Sequence, residues 1–341
     1  MSLLIQCNSI ACSFDRTPTV PIIAFEIFVI ISTIILLFLL LRIEKKVLLK
    51  YLVVLAGVFI FEFFTMPMWN NYHMGDWAYV YRDVSWILTL GWSSLIFGSI
   101  KVVDHYLPNS ANRIRLGLYL LVLLFLVWAF ESIVITIGIR SYSPEVQAVF
   151  TGLNVFNVPI VGLYYIPAFT ALIIGFYKYF EFMIDGKPIV PVRGKFLRNL
   201  LITFLAVLMF EIMVEPMVVN ANLPDWSYIY RDISIILTGI WVLIIWIVTS
   251  VVDYFWPHFN LVKKFIAYVI GVGILTLPYE AYLINHGYRI YGSSSVANFS
   301  GFQIPFYYIP VEIFFAIPLY LALVIGLNKY LQIILDNRYS K

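Results

Sequence analysis

The sequence predicts an all-α, polytopic membrane protein with about nine transmembrane helices, arranged as two parallel four-helix repeats plus a final helix. Two observations support this prediction. Hydrophobic residues make up 62% of the 341 residues and charged residues only 12%, whereas soluble domains carry about 25% charge. The 32 residues from Phe61 to Trp92 also recur from Phe210 to Trp241, with 16 identities at a constant offset of 149.

The predicted spans are apolar runs of about 20 residues, the length that crosses a bilayer as a helix. They fall near 20–42, 47–66, 84–101, 116–139, 157–180, 197–219, 233–252, 265–285 and 304–331. If the first four are named A to D, the start of A occurs three times: VPIIAFE at Val20, VPIVGLY at Val158 and IPVEIFF at Ile309. The order ABCD-ABCD-A predicts an N-terminal segment, two repeats and a final helix with its tail, at 1–19, 20–156, 157–303 and 304–341.

The distribution of Lys and Arg predicts the orientation of the chain. A four-helix unit returns to its starting side, so the repeats should be parallel and related by an axis along the membrane normal. Seventeen of the 22 Lys and Arg residues fall in the connections and tail on one side. The positive-inside rule therefore places the C-terminus in the cytoplasm and the N-terminus outside. There, Cys7 and Cys12 are either free thiols or a small disulfide.

Glutamates at membrane depth are the candidate catalytic residues. The helical rise of about 1.5 Å per residue places them, together with Glu26, in the outer half of the membrane, where they should converge on one cavity. Charged groups at this depth usually face the bundle interior and take part in chemistry or transport. The structural alternative is that Glu62 pairs with Arg82, and Glu131 with Arg140, as ties between helices. The candidates are Glu62, Glu131, Glu211, Glu280 and Glu312.

The motif Asp-Trp-x-Tyr-x-Tyr-Arg-Asp occurs at 76–83 and again at 225–232. One interpretation is structural: the last aspartate caps the next helix, and the aromatic residues form an interfacial belt with the arginines on lipid phosphates. The alternative is an aromatic-walled cap over the cavity, because a belt does not need a fixed residue order. On that alternative the substrate-binding candidates are Asp83, Asp232, Arg82, Arg231, Arg140, Arg289, Trp77, Trp226, Tyr81, Tyr230, Tyr142 and Tyr291.

Two motifs resemble a known group of enzymes. The pattern Glu280-x6-Gly287-Tyr288-Arg289-x-Tyr291, followed by Pro310-Val311-Glu312-x-Phe314-Phe315, resembles the membrane-integral carotenoid enzymes, namely the heterodimeric and fungal-type lycopene cyclases and the related hydratases. The helix-B glutamate with a following proline is similar to fungal meroterpenoid cyclases. The family has a Glu-Glu pair where this chain has Glu312-Ile313, and the first half has Val161 in place of the glutamate.

The resemblance implies proton-initiated cyclisation or hydration of a lipid-soluble isoprenoid, with Glu280 and Glu312 as acid and base. Such chemistry needs a neutral carboxylic acid, a proton acceptor and aromatic faces for the carbocation, so we expect no metal and no cofactor. The expected partners are a lipid-soluble substrate and membrane lipid, and no nucleic acid.

Two other functions remain open from the sequence. A transporter built from two parallel repeats would need a water-filled path to the cytoplasmic side, where polar residues other than Asp104 and Asp253 are sparse in the sequence. A structural or lipid-binding scaffold would use every ion pair as a tie between helices.

Overall fold

The chain folds as an all-α polytopic membrane protein. The computed structural model describes residues 15–149, 152–187 and 195–336, so Cys7 and Cys12 lie outside the described residues. In chain order the helices are α1 Val20–Leu41, α2 Val47–Thr65, α3 Trp86–Tyr106, α4 Asn112–Thr136, α5 Pro144–Ala148, α6 Gly162–Ile184, α7 Phe196–Val214, α8 Ile235–Phe255, α9 Leu261–Asn285, α10 Ser293–Ala297 and α11 Val311–Asp336.

Nine of the helices in the described ranges have 19 residues or more, in agreement with the nine predicted spans. Eight of these are long and apolar enough to cross a membrane. The ninth, α6, contains several tyrosines and a lysine, and most of its residues are buried inside the protein. The predicted spans at 157 and 304 begin too early, because short β-hairpins precede α6 and α11 there.

The long helices pack as two equivalent bundles, α2-α3-α4-α6 and α7-α8-α9-α11. In space, therefore, each bundle consists of helices B, C and D and the A helix that follows them. Helices α6 and α11 pack against each other in the middle of the molecule, and α1 lies outside the first bundle against α3 and α2.

The crossing of α6 and α11 depends on two glycines. A Cβ atom on Gly175 would lie 2.5 Å from the Cα of Leu327, and one on Gly326 would lie 2.8 Å from the Cα of Phe176. Small residues at such positions let two membrane helices approach closely. The two bundles are therefore joined at a contact that excludes any larger side chain.

Serines, not aspartates, cap the helices that follow the repeated motif. The hydroxyl oxygen of Ser85 accepts a hydrogen bond from the N–H of Leu88 (3.4 Å), and that of Ser234 accepts one from Ile236 (3.3 Å). The interpretation of Asp83 and Asp232 as caps is wrong, because both aspartates lie two residues earlier and bind elsewhere.

Short antiparallel strand pairs cover the end of the molecule at which α2 and α7 terminate, which we call the motif end. The strands are β1 Trp69–Asn71, β2 Tyr79–Tyr81, β3 Val84–Ser85, β4 Arg140–Tyr142, β5 Asn154–Val155, β6 Val158–Pro159, β7 Val218–Asn220, β8 Tyr228–Tyr230, β9 Ile233–Ser234, β10 Arg289–Tyr291, β11 Gln303–Ile304 and β12 Ile309–Pro310. Strand β1 pairs with β4, and β7 with β10.

Two glycines aim these strand pairs at the glutamates. Helices α4 and α9 are followed by Gly138 (φ 84°) and Gly287 (φ 70°), in the left-handed conformation that favours glycine after a helix. The chain then turns back, so that Arg140 lies opposite Asn71 and Arg289 opposite Asn220. Each arginine is thereby directed at the glutamate of the helix that precedes it.

Candidate functional site

Two cavities of about 60 Å³ each lie inside the motif end, one in each bundle. The expectation of one shared cavity is wrong, because two separate cavities form. Each is also lined in part by the other repeat, the second by Phe63, Phe64, Met66 and Pro67 and the first by Met213. Glu26 is buried but lines neither of them. Each cavity has room for only a few water molecules. The first is lined by Phe61, Glu62, Trp92, Glu131, Arg140 and Tyr142, and the second by their equivalents Phe210, Glu211, Trp241, Glu280, Arg289 and Tyr291.

In the first cavity, Arg140 lies between two glutamates. Its Nη1 donates to Glu131 (3.3 Å), its Nη2 lies 3.8 Å from Glu62, and its Nε donates to Asn71 Oδ1 (2.9 Å). The Tyr142 hydroxyl also donates to Glu131, at 2.8 Å. Glu131 therefore pairs with Arg140 as the structural alternative expected. Glu62 does not pair with Arg82, because Arg140 is the arginine that reaches it.

The second cavity has the same arrangement, but its arginine makes fewer hydrogen bonds. The Nε of Arg289 lies 3.4 Å from Glu280, and the Tyr291 hydroxyl donates to Glu280 at 2.6 Å. Among the described residues, the buried Nη2 of Arg289 has no hydrogen-bond partner, and neither has the Oδ1 of Asn220. A buried donor without a partner is uncommon in a native protein. Within the described part of the chain, the Nη2 of Arg140 is also without a hydrogen bond, but in Arg289 both Nη2 and Nε are, so Arg289 has more donors left for a ligand.

A threonine faces the helix-B glutamate in each cavity. The Thr89 hydroxyl oxygen lies 2.7 Å from the Glu62 carboxyl and 2.9 Å from the Ser85 carbonyl oxygen. Thr238 makes the equivalent contacts with Glu211 and with the Ser234 carbonyl oxygen. A hydroxyl group has one proton to donate, so both contacts are full hydrogen bonds only when the glutamate itself is protonated. These threonines were not among the sequence-based candidates, although both copies of the repeat contain them.

Glu312 has no equivalent in the first cavity, and it connects the two repeats. Its Oε1 accepts hydrogen bonds from the Ser300 N–H (2.6 Å) and from the hydroxyl of Tyr81 (3.2 Å), a residue of the first repeat. The side chain is 6% exposed and lines the second cavity. Its buried Oε2 has no hydrogen-bond partner within the described ranges. The second cavity therefore contains three carboxyl groups, and the first contains two.

The last aspartate of each motif orders the asparagine of the adjacent strand pair. Asp83 accepts a hydrogen bond from the Asn71 N–H (3.2 Å), while the Asn71 side-chain amide donates to the Asp83 carbonyl oxygen (2.5 Å). Asp232 and Asn220 repeat both contacts at 3.0 Å. Burial raises the pKa of Asp83 to about 7 and also raises the pKa of Asp232. In the first repeat this network continues to Arg140 through Asn71.

The other motif residues face outward. Trp77 is 53% exposed and Trp226 73%, and neither lines a cavity. Tyr230 is also exposed, and Arg231 pairs with Glu215 at 2.9 Å. Arg82 donates to the Phe299 carbonyl oxygen at 3.4 Å. These positions match an interfacial belt rather than the walls of a cap, and Tyr81 is the one aromatic residue of the motif that reaches a candidate glutamate.

A second group of buried charges lies at the opposite end of the molecule. Lys178 is 7% exposed and donates to Asp104 and Glu181, both at 2.8 Å. In the second repeat Lys329 donates to Asp253 at 2.7 Å. A polar cavity of about 680 Å³ adjoins the first of these groups. The expectation of few polar residues here is wrong, because Lys178 and Glu181 lie inside α6 and not in a connection.

No family model matches the chain, and no curated protein and no solved structure matches it. Within the described part of the chain, no group of His, Cys, Asp and Glu side chains is arranged to hold a metal ion. The resemblance to the carotenoid enzymes therefore rests on its motifs alone, and the function must be argued from the cavities.

Proposed function

We propose that the chain is an integral membrane enzyme that protonates a lipid-soluble isoprenoid, such as a carotenoid or terpenoid, and so cyclises or hydrates it at the second cavity. One observation carries the proposal. A single aromatic-lined cavity combines a glutamate whose contacts are complete when it is protonated, Glu211, with a carboxylate that has an unused oxygen, Glu312.

The contacts assign a different role to each carboxyl group. Glu211 is the proton donor: its O–H bond breaks as a C–H bond forms at a double bond of the substrate. The resulting carbocation would lie near the stacked rings of Phe210 and Tyr320, whose centroids are 3.7 Å apart. After ring closure has moved the positive charge to another carbon, the Oε2 of Glu312 accepts a proton from a neighbouring carbon, whose C–H electron pair forms the new double bond. In hydration it accepts the proton of the water molecule that adds to the cation.

In this assignment the proton donor is Glu211, whereas the resemblance to the carotenoid enzymes implied Glu280. Glu280 is held by Arg289 and Tyr291, and a carboxylate with such donors is stabilised in its charged form. A fixed negative charge beside the cavity stabilises a carbocation as it develops. Because the cavity measures only about 60 Å³, the substrate must enter by displacing aromatic side chains such as Phe64 of α2.

The test is product formation in cells supplied with an acyclic carotenoid or terpenoid precursor. We expect Glu211→Gln and Glu312→Gln to abolish the product, as measured by mass spectrometry of lipid extracts. Glu62→Gln is the matched control in the first repeat, and it should retain the product. Wild-type turnover by both second-repeat variants would show that this cavity is not the site of reaction.

A transporter is the second candidate, and the buried charges at the opposite end support it. The polar cavity of about 680 Å³ lies where a carrier would need a water-filled path. In proteoliposomes, a carrier would lose flux of its solute with Glu62→Gln and with Glu211→Gln, because the repeats would act together. Loss of the isoprenoid product in Glu211→Gln alone favours the enzyme instead.

We propose further that the motif end faces outward and the C-terminus faces the cytoplasm. The 17 Lys and Arg residues on the other side support this orientation. In a chain with Cys7 and Cys12 replaced by serine, an impermeant maleimide added to intact cells should label Asp76→Cys and should not label Lys45→Cys. The reverse labelling pattern would invert the orientation.

A further inference from the structure

Three spaces in the first bundle lie end to end. An apolar groove of about 240 Å³ runs between α1, α3 and α4. It shares Leu36 with the polar cavity at the opposite end, and it shares Trp92 with the first cavity at the motif end. The charged cavity, the apolar groove and the aromatic cavity beside Glu62 are therefore neighbours in a series, which we call the path, with Leu36 and Trp92 at the two junctions.

Two glycines of α3 face α1 along this path. Cβ atoms built on Gly91 and Gly98 would lie 3.5 Å from the side chains of Val29 and Leu36 of α1. The matching order of these contacts shows that α1 and α3 run in the same direction. Trp92 and Lys101 are nine residues apart on α3, so the apolar part is roughly 14 Å long at the helical rise of about 1.5 Å per residue.

The polar cavity has more positive than negative side chains. Five cationic side chains line it, namely Lys50, Lys101, Arg115, Lys178 and Lys187, against four carboxylates, namely Glu44, Asp104, Glu181 and Asp185. The buried Nε of Arg115 has no hydrogen-bond partner within the described ranges. Each of the five cations pairs with at least one of these carboxylates, so the unused Nε of Arg115 is the donor left for a ligand. Arg and Lys side chains are both suited to binding phosphate, so we take a phosphate group as the anion.

The second bundle does not contain this combination. Lys101 and Glu181 correspond to Ser250 and Gln332 there. In the described residues, α1 packs against α3, whereas the equivalent A helix of the second repeat, α6, lies in the centre of the molecule. Within the described residues, the groove beside α1 and this set of charges therefore belong to the first bundle and α1.

We propose that the first bundle and α1 together bind a phosphate-bearing lipid, with its phosphate in the polar cavity, one apolar chain in the groove and the chain end at Trp92. The proposal goes beyond the isoprenoid chemistry and does not depend on it, because it concerns the other bundle and predicts binding whether or not Glu211 donates a proton.

The test uses the detergent-purified full chain and lysophosphatidic acid, which has one chain and one phosphate, with binding measured by native mass spectrometry and by titration. We expect Gly98→Leu, which fills the space beside Leu36 where the groove meets the polar cavity, to weaken binding at least tenfold. Leu36→Trp should do the same from the α1 side. The matched control is Gly239→Leu on α8, where a Cβ has no atom within 4 Å, and it should bind like the wild type.

Two further ligands test the head group. Monoacylglycerol has the same chain without the phosphate and should bind at least tenfold more weakly, and Lys101→Gln should remove this difference. If Gly98→Leu and Leu36→Trp bound lysophosphatidic acid as tightly as the wild type, the groove would not hold the lipid chain specifically. That result would overturn the proposal. Displacement of the lipid by millimolar inorganic phosphate would also overturn it, because the site would then be one for free phosphate.

Discussion

Arg140 and Arg289 occupy equivalent positions in the two repeats, but their surroundings differ. The Nε and Nη1 of Arg140 donate to Asn71 and Glu131, and its Nη2 lies 3.8 Å from Glu62 without a hydrogen bond. Arg289 lacks the bond to its asparagine, and neither its Nε nor its Nη2 has a hydrogen-bond partner among the described residues. At the scale of single residues, the first arginine is a structural tie and the second is the one available to a ligand.

Replacing Arg140 by methionine should destabilise the protein strongly. The change leaves Glu131 and Glu62 buried without their cation, and breaking a buried ion pair costs about 3–5 kcal/mol. Arg113→Met is the matched control, because Arg113 is exposed and substitutions at such positions usually change stability by about 0.5 kcal/mol or less. Thermal unfolding in detergent measures both. Equal melting temperatures for the two variants would contradict the role of Arg140 as a tie.

The buried Asp83 predicts a pH-dependent stability. Burial raises its pKa from 3.8 to about 7, so between these values the folded state retains a proton that the unfolded state has lost. The stabilisation is complete below pH 3.8 and is lost as the pH rises through 7. The slope is at most about 1.4 kcal/mol per pH unit.

Melting temperatures measured from pH 5 to pH 8 test this directly. The wild type should become less stable as the pH rises, and Asp83→Asn should reduce the slope. Asp76→Asn is the control, because the Asp76 side chain is 85% exposed. An unchanged slope in Asp83→Asn would show that Asp83 is ionised throughout this range.

At the scale of elements, the sequence predicted the nine long helices because apolar runs and their lengths are local properties. The pairing of Glu131 with Arg140, one of the two pairs in the structural alternative, is confirmed, because the glycine after α4 brings residues nine positions apart together. The sequence did not predict the bond between Tyr81 and Glu312, which are 231 residues apart. Thr89 and Thr238 were missed because a threonine in an apolar helix usually bonds only its own backbone, as both also do here.

The contact between α6 and α11 should not tolerate a methyl group. Gly175→Ala and Gly326→Ala would place a Cβ atom 2.5 Å and 2.8 Å from backbone atoms of the facing helix. Overpacking of this kind costs about 1–3 kcal/mol, so each variant should melt at a lower temperature than the wild type. Gly117→Ala, where no atom lies within 4 Å, should melt at the same temperature or a higher one. A wild-type melting temperature for Gly326→Ala would show that α6 and α11 can move apart enough to accommodate a methyl group.

At the scale of the whole molecule, the two bundles meet over an extended interface. Helix α11 packs against both α6 and α2, Phe64 contacts Phe210, Arg82 donates to the Phe299 carbonyl oxygen, and Tyr81 donates to Glu312. The connection between α6 and α7 is therefore not needed to hold them together. Residues 1–187 and 188–341, expressed as two chains, should assemble and co-purify. Gly326→Leu in the second chain should abolish co-purification, and Gly239→Leu should not. Failure of the wild-type halves to associate would show that the covalent link is required.

The grouping of each A helix with the three helices before it affects how the protein is made. A ribosome delivers α2, α3 and α4 to the membrane before α6, which closes their bundle, and it delivers α7, α8 and α9 before α11. During synthesis, then, Glu62, Glu131 and Arg140 enter the membrane while one side of their bundle is still open. The second bundle is completed after the first, because α11 both closes the second bundle and packs against α6. Nascent chains truncated before Val311 should therefore be the ones that quality-control proteases recognise as unfinished.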